Sequence, residues 1–339
     1  MKPILEIARI TLLLGATISL LAAFGAAQTT SNENRRQGQS LRHSAKKIVA
    51  NGDFWFLSFD YPGAAATRAL GINAQGEIVG SFDDASATHG FVFENGSFKA
   101  FDVPGSPSTQ PKSSNSRGEI VGFYFDAEFN LHGFYSFHEK LKAIDIPFSI
   151  ETRAEGINEA GTVSGEYVDQ EGNEHGYLLR EGSFQTIDVP DTFTTDVWSI
   201  SNDGWLTGDY SSATTVLAYV RDARGKFSTL AYPGAIADSA RAINDLHEVV
   251  GRWDDASMPL TLPCSTQCHG FFWSKGEFKD VEFPGAVYTV ALGINNHRLI
   301  VGRYVDSSSN EHAFIAKRRA PSRVEEDDDE FAQFDAEDN

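Results

Sequence analysis

The chain has 339 residues, 41% of them hydrophobic and 12% aromatic, which is enough apolar matter for a sizeable core and too much for a disordered middle. Acids outnumber bases, 47 Asp and Glu against 28 Lys and Arg, for a net charge of −19. Because Arg35, Arg36, Arg42, Lys46 and Lys47 gather in one polar stretch, the rest is acidic, and that excludes nucleic acid, whose phosphates need a basic face.

In chain order, residues 1–27 predict an export signal. Lys2 and Arg9 flank its start, Ile10 to Phe24 is apolar, and Gly25-Ala26-Ala27 supplies small residues before Gln28. The apolar run is close to the shortest spanning helix, so an uncleaved anchor is the alternative and the one membrane contact expected. Residues 28–51 are a polar linker with room for a short helix at its end.

From Phe54 onward the chain repeats. Asp102-Val-Pro104, Asp145-Ile-Pro147 and Asp188-Val-Pro190 share a marker with looser copies ending at Pro62, Pro233 and Pro284, in steps of 42, 43, 43, 43 and 51 residues. Each unit carries four short β-type runs; in the first they are Ala69 to Asn73, Glu77 to Phe82, Gly90 to Glu94 and Ser97 to Val103. Asn73-Ala-Gln-Gly76 and Asn95-Gly96 are the tight turns. Lacking an amphipathic helical pattern to cross between parallel strands, the sheets should be antiparallel.

Four antiparallel strands in about 40–45 residues is the arithmetic of a propeller blade. A glycine recurs inside the second run as Gly80, Gly122, Gly165, Gly208, Gly251 and Gly302, and close packing of one blade face on the next would require it. Proline at the end of the fourth run places that strand on an edge. The sixth unit stops after His312-Ala-Phe-Ile-Ala316 without a fourth strand, while Phe54 to Pro62 ends like one. The expectation is therefore a six-bladed all-β propeller over residues 52–319, with four antiparallel strands per blade, closed by the N-terminal strand joining the last blade. Residues 320–339 form an acidic tail expected to be disordered, with nine acids and no base from Glu325 to Asn339.

His89-Gly-Phe91, His132-Gly-Phe134, His175-Gly-Tyr177, His269-Gly-Phe271 and His312-Ala-Phe314 open the third run of five units. Together with Gly71-Ile-Asn73 and Ile78-Val-Gly80 this resembles the bacterial extracellular HAF-repeat family, over about Phe54 to Lys317. What the resemblance implies is a secreted or cell-surface propeller-like repeat protein without an established activity, and it supplies no catalytic residues.

A repeated histidine invites a metal, yet equivalent residues on different blades diverge, and zinc needs ligand nitrogens about 2.0–2.1 Å away. Four residues after the strand glycine stands an acid: Asp84, Asp126, Asp169, Asp255 or Asp306. The fourth unit loses both partners, to Ser212 and Leu217. The pairs Asp84–His89, Asp126–His132, Asp169–His175, Asp255–His269 and Asp306–His312 are thus expected to be structural, each locking one loop. Turn chemistry accounts for the Asp-rich loops Asp83-Asp84 and 169–174 without calcium. Cys264 and Cys268, with three residues between them, lack the two-residue spacing of haem attachment or a redox pair, and a small local disulfide is expected. No metal or cofactor is expected, and the chain should be a monomer.

The segments leading into the innermost strands repeat Thr67, Thr109, Thr152, Thr195 and Thr289, with Asp238 in the fifth unit, and the next position varies: Arg68, Gln110, Arg153, Asp196, Ser239 and Val290. Trp198, Arg241 and Tyr288 stand beside it. Variation on a repeated frame marks either a recognition surface or drift on an exposed face; on the first reading an extracellular binding module for a protein, glycan or small anionic ligand is expected at this axial mouth, with Arg68 and Arg153 as anion contacts. A carbohydrate-acting hydrolase or lyase and a purely structural surface repeat are the alternatives.

Overall fold

The computed structural model describes residues 39–40, 48–212, 214–255 and 268–319, with only the backbone described at 39–40. The candidate signal (1–27) and the acidic tail (320–339) lie outside them. All regular structure among the described residues is β-strand; no helix is present, hence none long and apolar enough to cross a membrane. Residues 49–51, predicted as the end of a linker with a short helix, are instead a strand, Val49–Asn51, paired with Phe54–Phe59.

Among the described residues, 24 of the 26 strands form six antiparallel groups of four, and the two short ones at 39–40 and 49–51 each add to the outer strand of one group. In the first group, Ala66–Ile72, Ile78–Asp83, Thr88–Glu94 and Ser97–Phe101 pair in order. Its first strand starts three residues before the predicted apolar run, and its fourth ends before the Asp-x-Pro marker. The first strands of the other groups are Ser108–Ser114, Ser149–Ile157, Thr194–Ile200, Ala237–Ile243 and Tyr288–Ile294. In the sixth group, Glu311–Arg318 takes Phe54–Phe59 as its outer neighbour, from Ala313 opposite Phe59 to Arg318 opposite Phe54.

Side chains between sheets supply the cohesion, because each strand alternates faces and each sheet has apolar residues on both. Among the described residues, every pair of consecutive groups shares a buried cluster: Val79 with Ile120, Val121 with Ala154, Ile187 with Val197, Val220 with Ala240, and Val250 with Ala291, the last joint also holding Cys268 with Val290. A further cluster joins Leu57, Phe59 and Ile315 to Ile72, Phe91 and Phe93, linking last group to first. The first strands pack side by side in sequence order, and Tyr288–Ile294 also packs on Ala66–Ile72.

Polar repeats tie the same joints. The asparagine that follows the first strand, in Gly-Ile-Asn or its variants Ser113-Ser-Asn115 and Ala242-Ile-Asn244, uses Oδ1 to accept from its own turn and Nδ2 to donate to the carbonyl of the next group: Asn73 to Asn115, Asn115 to Asn158, Asn158 to Ser201, Asn244 to Asn295, and Asn295 to Asn73. Only the step from Ser201, where the asparagine is missing, lacks this bond. The repeated threonine accepts the N–H six residues before it, as Thr67 does from Tyr61 at 3.0 Å, and Asp238 substitutes a carboxylate for the same task.

Two expectations need correcting. The marker proline is a turn residue, not an edge-strand residue: Pro104 and Gly105 (φ 83°) occupy the middle of a type II turn closed by Ser106 N–H to Val103 O. The strand glycine is required by its own sheet and not by the neighbouring blade. A Cβ on Gly165 would lie 2.0 Å from the Arg153 carbonyl oxygen and 2.8 Å from the Tyr177 ring, both in the same group. Close approach between groups falls instead on Gly71, whose Cβ would meet the Lys112 carbonyl at 2.4 Å.

Candidate functional site

Each loop histidine is held by two acids and a ring. His132 reaches Asp126 at 3.3 Å through Nε2 and Asp145 at 2.7 Å through Nδ1, and its ring stacks on Tyr124. The same set recurs as Asp169–His175–Asp188 on Tyr167, Asp84–His89–Asp102 on Phe82, and Asp306–His312–Asp60 on Tyr304. In the fifth group Glu282 takes the Nδ1 position at 3.0 Å, with Asp255 at 4.0 Å and Trp253 as the ring. In every set the Nδ1 contact is the shorter one, and it goes to the acid of the proline marker, a partner that sequence reasoning missed. The signal was present: where Leu217 and Ser212 replace histidine and first acid, Ala231 replaces the marker acid. Three positions change together because an acid without its imidazole would repel its neighbour.

The acids of the loop side, Asp84, Asp126, Asp169 and Asp306, are held down to about 2 by hydrogen bonds from their own turns, with help from the histidine. His132 and His312 are raised, since their paired acids outweigh desolvation. For the set in the third group, His175→Ala and Asp188→Ala should each lower stability by about 1 kcal/mol. Together they should cost less than the two added, by about 0.5 kcal/mol or more, in a urea-denaturation cycle. Additive losses would show that the two side chains act separately.

The variable ring nominated from sequence does not converge on one cavity. Arg68 is engaged by Asp83 at 2.8 Å and Glu311 at 2.6 Å, and Arg153 by Glu166, Glu151 and Glu174. Both proposed anion contacts therefore already hold carboxylates. Tyr288 lies under the Arg303 guanidinium, and Gln110 pairs opposite Phe123 on the neighbouring strand. Asp196 joins Glu166 and Glu174 in a group of carboxylate oxygens within 4.8 Å of one another.

In that group, burial is the first cause that pushes Glu174 up to about 8 and Asp196 well above the carboxylate range, with mutual repulsion second. A carboxyl raised in the folded state keeps a proton that the unfolded chain releases, so its contribution is complete below about pH 4 and is lost as pH rises towards 8. Raised histidines act with the same sign, their contribution fading above their unfolded value of 6.5. The lowered loop aspartates act oppositely, contributing above 3.8 and losing it as pH falls towards 2. The melting temperature should thus peak between about pH 4 and 6 and be roughly 3–5 °C lower at pH 8. Calorimetry from pH 3 to 9 checks this, and Glu174→Gln should flatten the alkaline limb.

A different ring does converge. Every first strand contains a β-bulge at one position, between the residues paired as Ala69–Gly80 and Gly71–Val79 in the first group. The equivalent irregularities lie between Pro111 and Ser113, Ala154 and Gly156, Val197 and Ser199, Ala240 and Ala242, and Ala291 and Gly293. A bulge leaves one residue out of the ladder and re-aims its side chain. Those six residues, Leu70, Lys112, Glu155, Trp198, Arg241 and Leu292, all line one cavity of about 110 Å³. Its lining continues to the asparagine turns at the ends of the first strands, whereas Arg68, Gln110, Arg153 and Asp196 stand towards the strand beginnings. Of the residues nominated from sequence, only Trp198 and Arg241 line it.

Inside, Lys112 pairs with the buried carboxylate of Glu155 at 3.0 Å. Trp198 donates its indole N–H to Asp209 at 2.9 Å, and Ser239 donates to the same oxygen. The Arg241 guanidinium lies over the Trp198 ring at 3.8 Å, and desolvation holds it below its ordinary pKa despite nearby acids. Two leucines complete an apolar arc. The sequence hint was three charges and a tryptophan at a position that is leucine in the other two units.

Cys268 is disulfide-bonded; Cys264, its expected partner, lies outside the described residues.

No family model matches the chain, and no curated protein matches it. Solved structures do. A putative TolB from Agrobacterium tumefaciens is similar at TM-score 0.52 and 10% identity, over 76% of this chain and 91% of that one. A streptogramin B lyase is similar at TM-score 0.46 and 10% identity, over 78% and 98%. The β-propeller domain of the trilobed protease from Pyrococcus furiosus is similar at 0.41 and 12%, over 81% and 97%. At such identities the likeness concerns fold alone: an all-β chain structurally similar to β-propeller proteins.

Proposed function

We propose that the chain is an exported six-bladed propeller, closed by its N-terminal strand, that binds a ligand in the axial cavity bounded by the bulge residues. Support for the ring comes from the Asn295-to-Asn73 hydrogen bond, the cluster joining last group to first, and the pairing of Phe54–Phe59 with Glu311–Arg318. Export is supported by the basic-apolar-small order of residues 1–27 and by a disulfide, which needs an oxidising compartment. The sequence resemblance to the HAF repeats, which no family model match supports, would imply the same setting.

The observation that carries binding is the bulge ring: six copies of one backbone device present six side chains of differing chemistry to one cavity, while the surrounding threonines, asparagines and glycines repeat. A structural repeat has no use for that divergence. Binding is favoured over catalysis because no histidine or cysteine is among the cavity's lining residues, and its Lys112 and Glu155 neutralise each other.

Thermal-shift screening with sugars, organic acids and amines tests the reading. Hits should vanish in Leu70→Phe, which fills the cavity, and survive Arg68→Ala. Hits lost in Arg68→Ala and Arg153→Ala but kept in Leu70→Phe would move the site to the opposite end of the first strands.

A further inference from the structure

The bulge ring has an unbalanced charge. Lys112 and Glu155 cancel as a pair, the leucines are apolar, and Trp198 is bonded to Asp209. Arg241 remains. Its guanidinium has no hydrogen-bond or ion-pair partner among the described residues; its one contact is the face of Trp198, and Nε is buried and unsatisfied. A guanidinium carries five donors in a planar fork; here Nε is buried without a partner while the residue as a whole is half-buried at the cavity. Two other first-strand arginines, Arg68 and Arg153, are each met by more than one acid. Arg241 is held in place by stacking, its donors left unused.

Asp209 stands near but does not serve it. One of its oxygens accepts from Trp198 Nε1 and Ser239 Oγ, and burial still depresses Arg241 despite that neighbour. Asp209 is the acid whose charge acts most on Arg241, yet no hydrogen bond or ion pair joins the two, so the guanidinium fork itself is left open.

We infer that the axial cavity binds a small organic carboxylate, with the carboxylate on the Arg241 fork and a short carbon chain against Leu70 and Leu292. This rests on the axial-cavity reading above and narrows its ligand. A fork of parallel N–H donors matches a carboxylate in geometry and charge. The cavity, about 110 Å³, has room for an acid of a few carbons. The apolar arc favours a hydrocarbon tail over a second charge, and the protein's net charge of −19 disfavours polyanions at long range.

The test uses the exported form of the chain with butyrate, butan-1-ol and sulfate, read by calorimetry and by the ¹H–¹⁵N resonance of Arg241 Nε. Butyrate should bind with one-to-one stoichiometry and shift that resonance. Butan-1-ol should bind at least tenfold more weakly, and Arg241→Met should weaken butyrate at least tenfold. The wild-type resonance keeps the test decisive should Arg241→Met fail to fold. Equal binding of butyrate and butan-1-ol would overturn the carboxylate inference and leave the cavity reading intact. Sulfate binding as tight as butyrate would overturn the organic ligand in favour of an inorganic anion. If none of the three binds or moves the resonance, the carboxylate inference fails; the cavity reading then falls only if the Leu70→Phe screen is also blank.

Discussion

Gly165→Ala is expected to cost more than about 3 kcal/mol, a large fraction of the stability of an ordinary domain. The added methyl would sit 2.0 Å from the carbonyl oxygen of Arg153 and 2.8 Å from the Tyr177 ring. Backbone cannot yield there, because Ala154, next along the chain from Arg153, is paired across the sheet with Gly165 itself. Nor can the ring, since Tyr177 is fully buried. Overpacking a close-packed site ordinarily costs about 1–3 kcal/mol, and here the obstacle is main chain as well as side chain. Five other positions repeat the arrangement, each glycine beneath a third-strand ring: Phe91, Phe134, Tyr219, Phe271 and Phe314. Urea denaturation gives the loss directly. Because the carbonyl clash remains when the ring is trimmed, Tyr177→Ala should not rescue it. A Gly165→Ala protein of near wild-type stability would mean that the first two strands can separate at low cost.

Deleting residues through Asp60 is expected to abolish cooperative folding. Phe54, Phe56, Leu57 and Phe59 are all buried, and each contributes about 1.5–3 kcal/mol. Their sum, roughly 6–12 kcal/mol, rivals the whole stability of an ordinary domain. The deletion also bares the edge of Glu311–Arg318, an apolar strand and hence an aggregation site. His312 loses Asp60 with it. A synthetic peptide covering 48–62 should restore a cooperative melt when added in trans, and one with Phe56→Asp should not. A truncated protein that melts sharply by itself would show that the proposed ring does not depend on this strand.

The period, the four-strand unit and the antiparallel order were legible because each strand's apolar residues face its own neighbours, a local property. So was the Phe54 strand, whose resemblance to the fourth run needs only comparison within the chain. The histidine sets were half legible. Asp169 lies six residues from His175 and was paired with it, while Asp188, thirteen residues away and taken for a punctuation mark, makes the shorter bond.

What the sequence determined by itself is the repeat: which positions must be glycine, threonine or asparagine, and how often. Only tertiary structure decided where the non-repeating residues go. A bulge shifts side-chain direction by one residue without a consistent mark in composition, so the variable position at Arg68 looked axial while the converging one was two places on, at Leu70. Strand alternation can be counted along a chain. An irregularity in hydrogen-bond pairing exists only once the partner strand is in place.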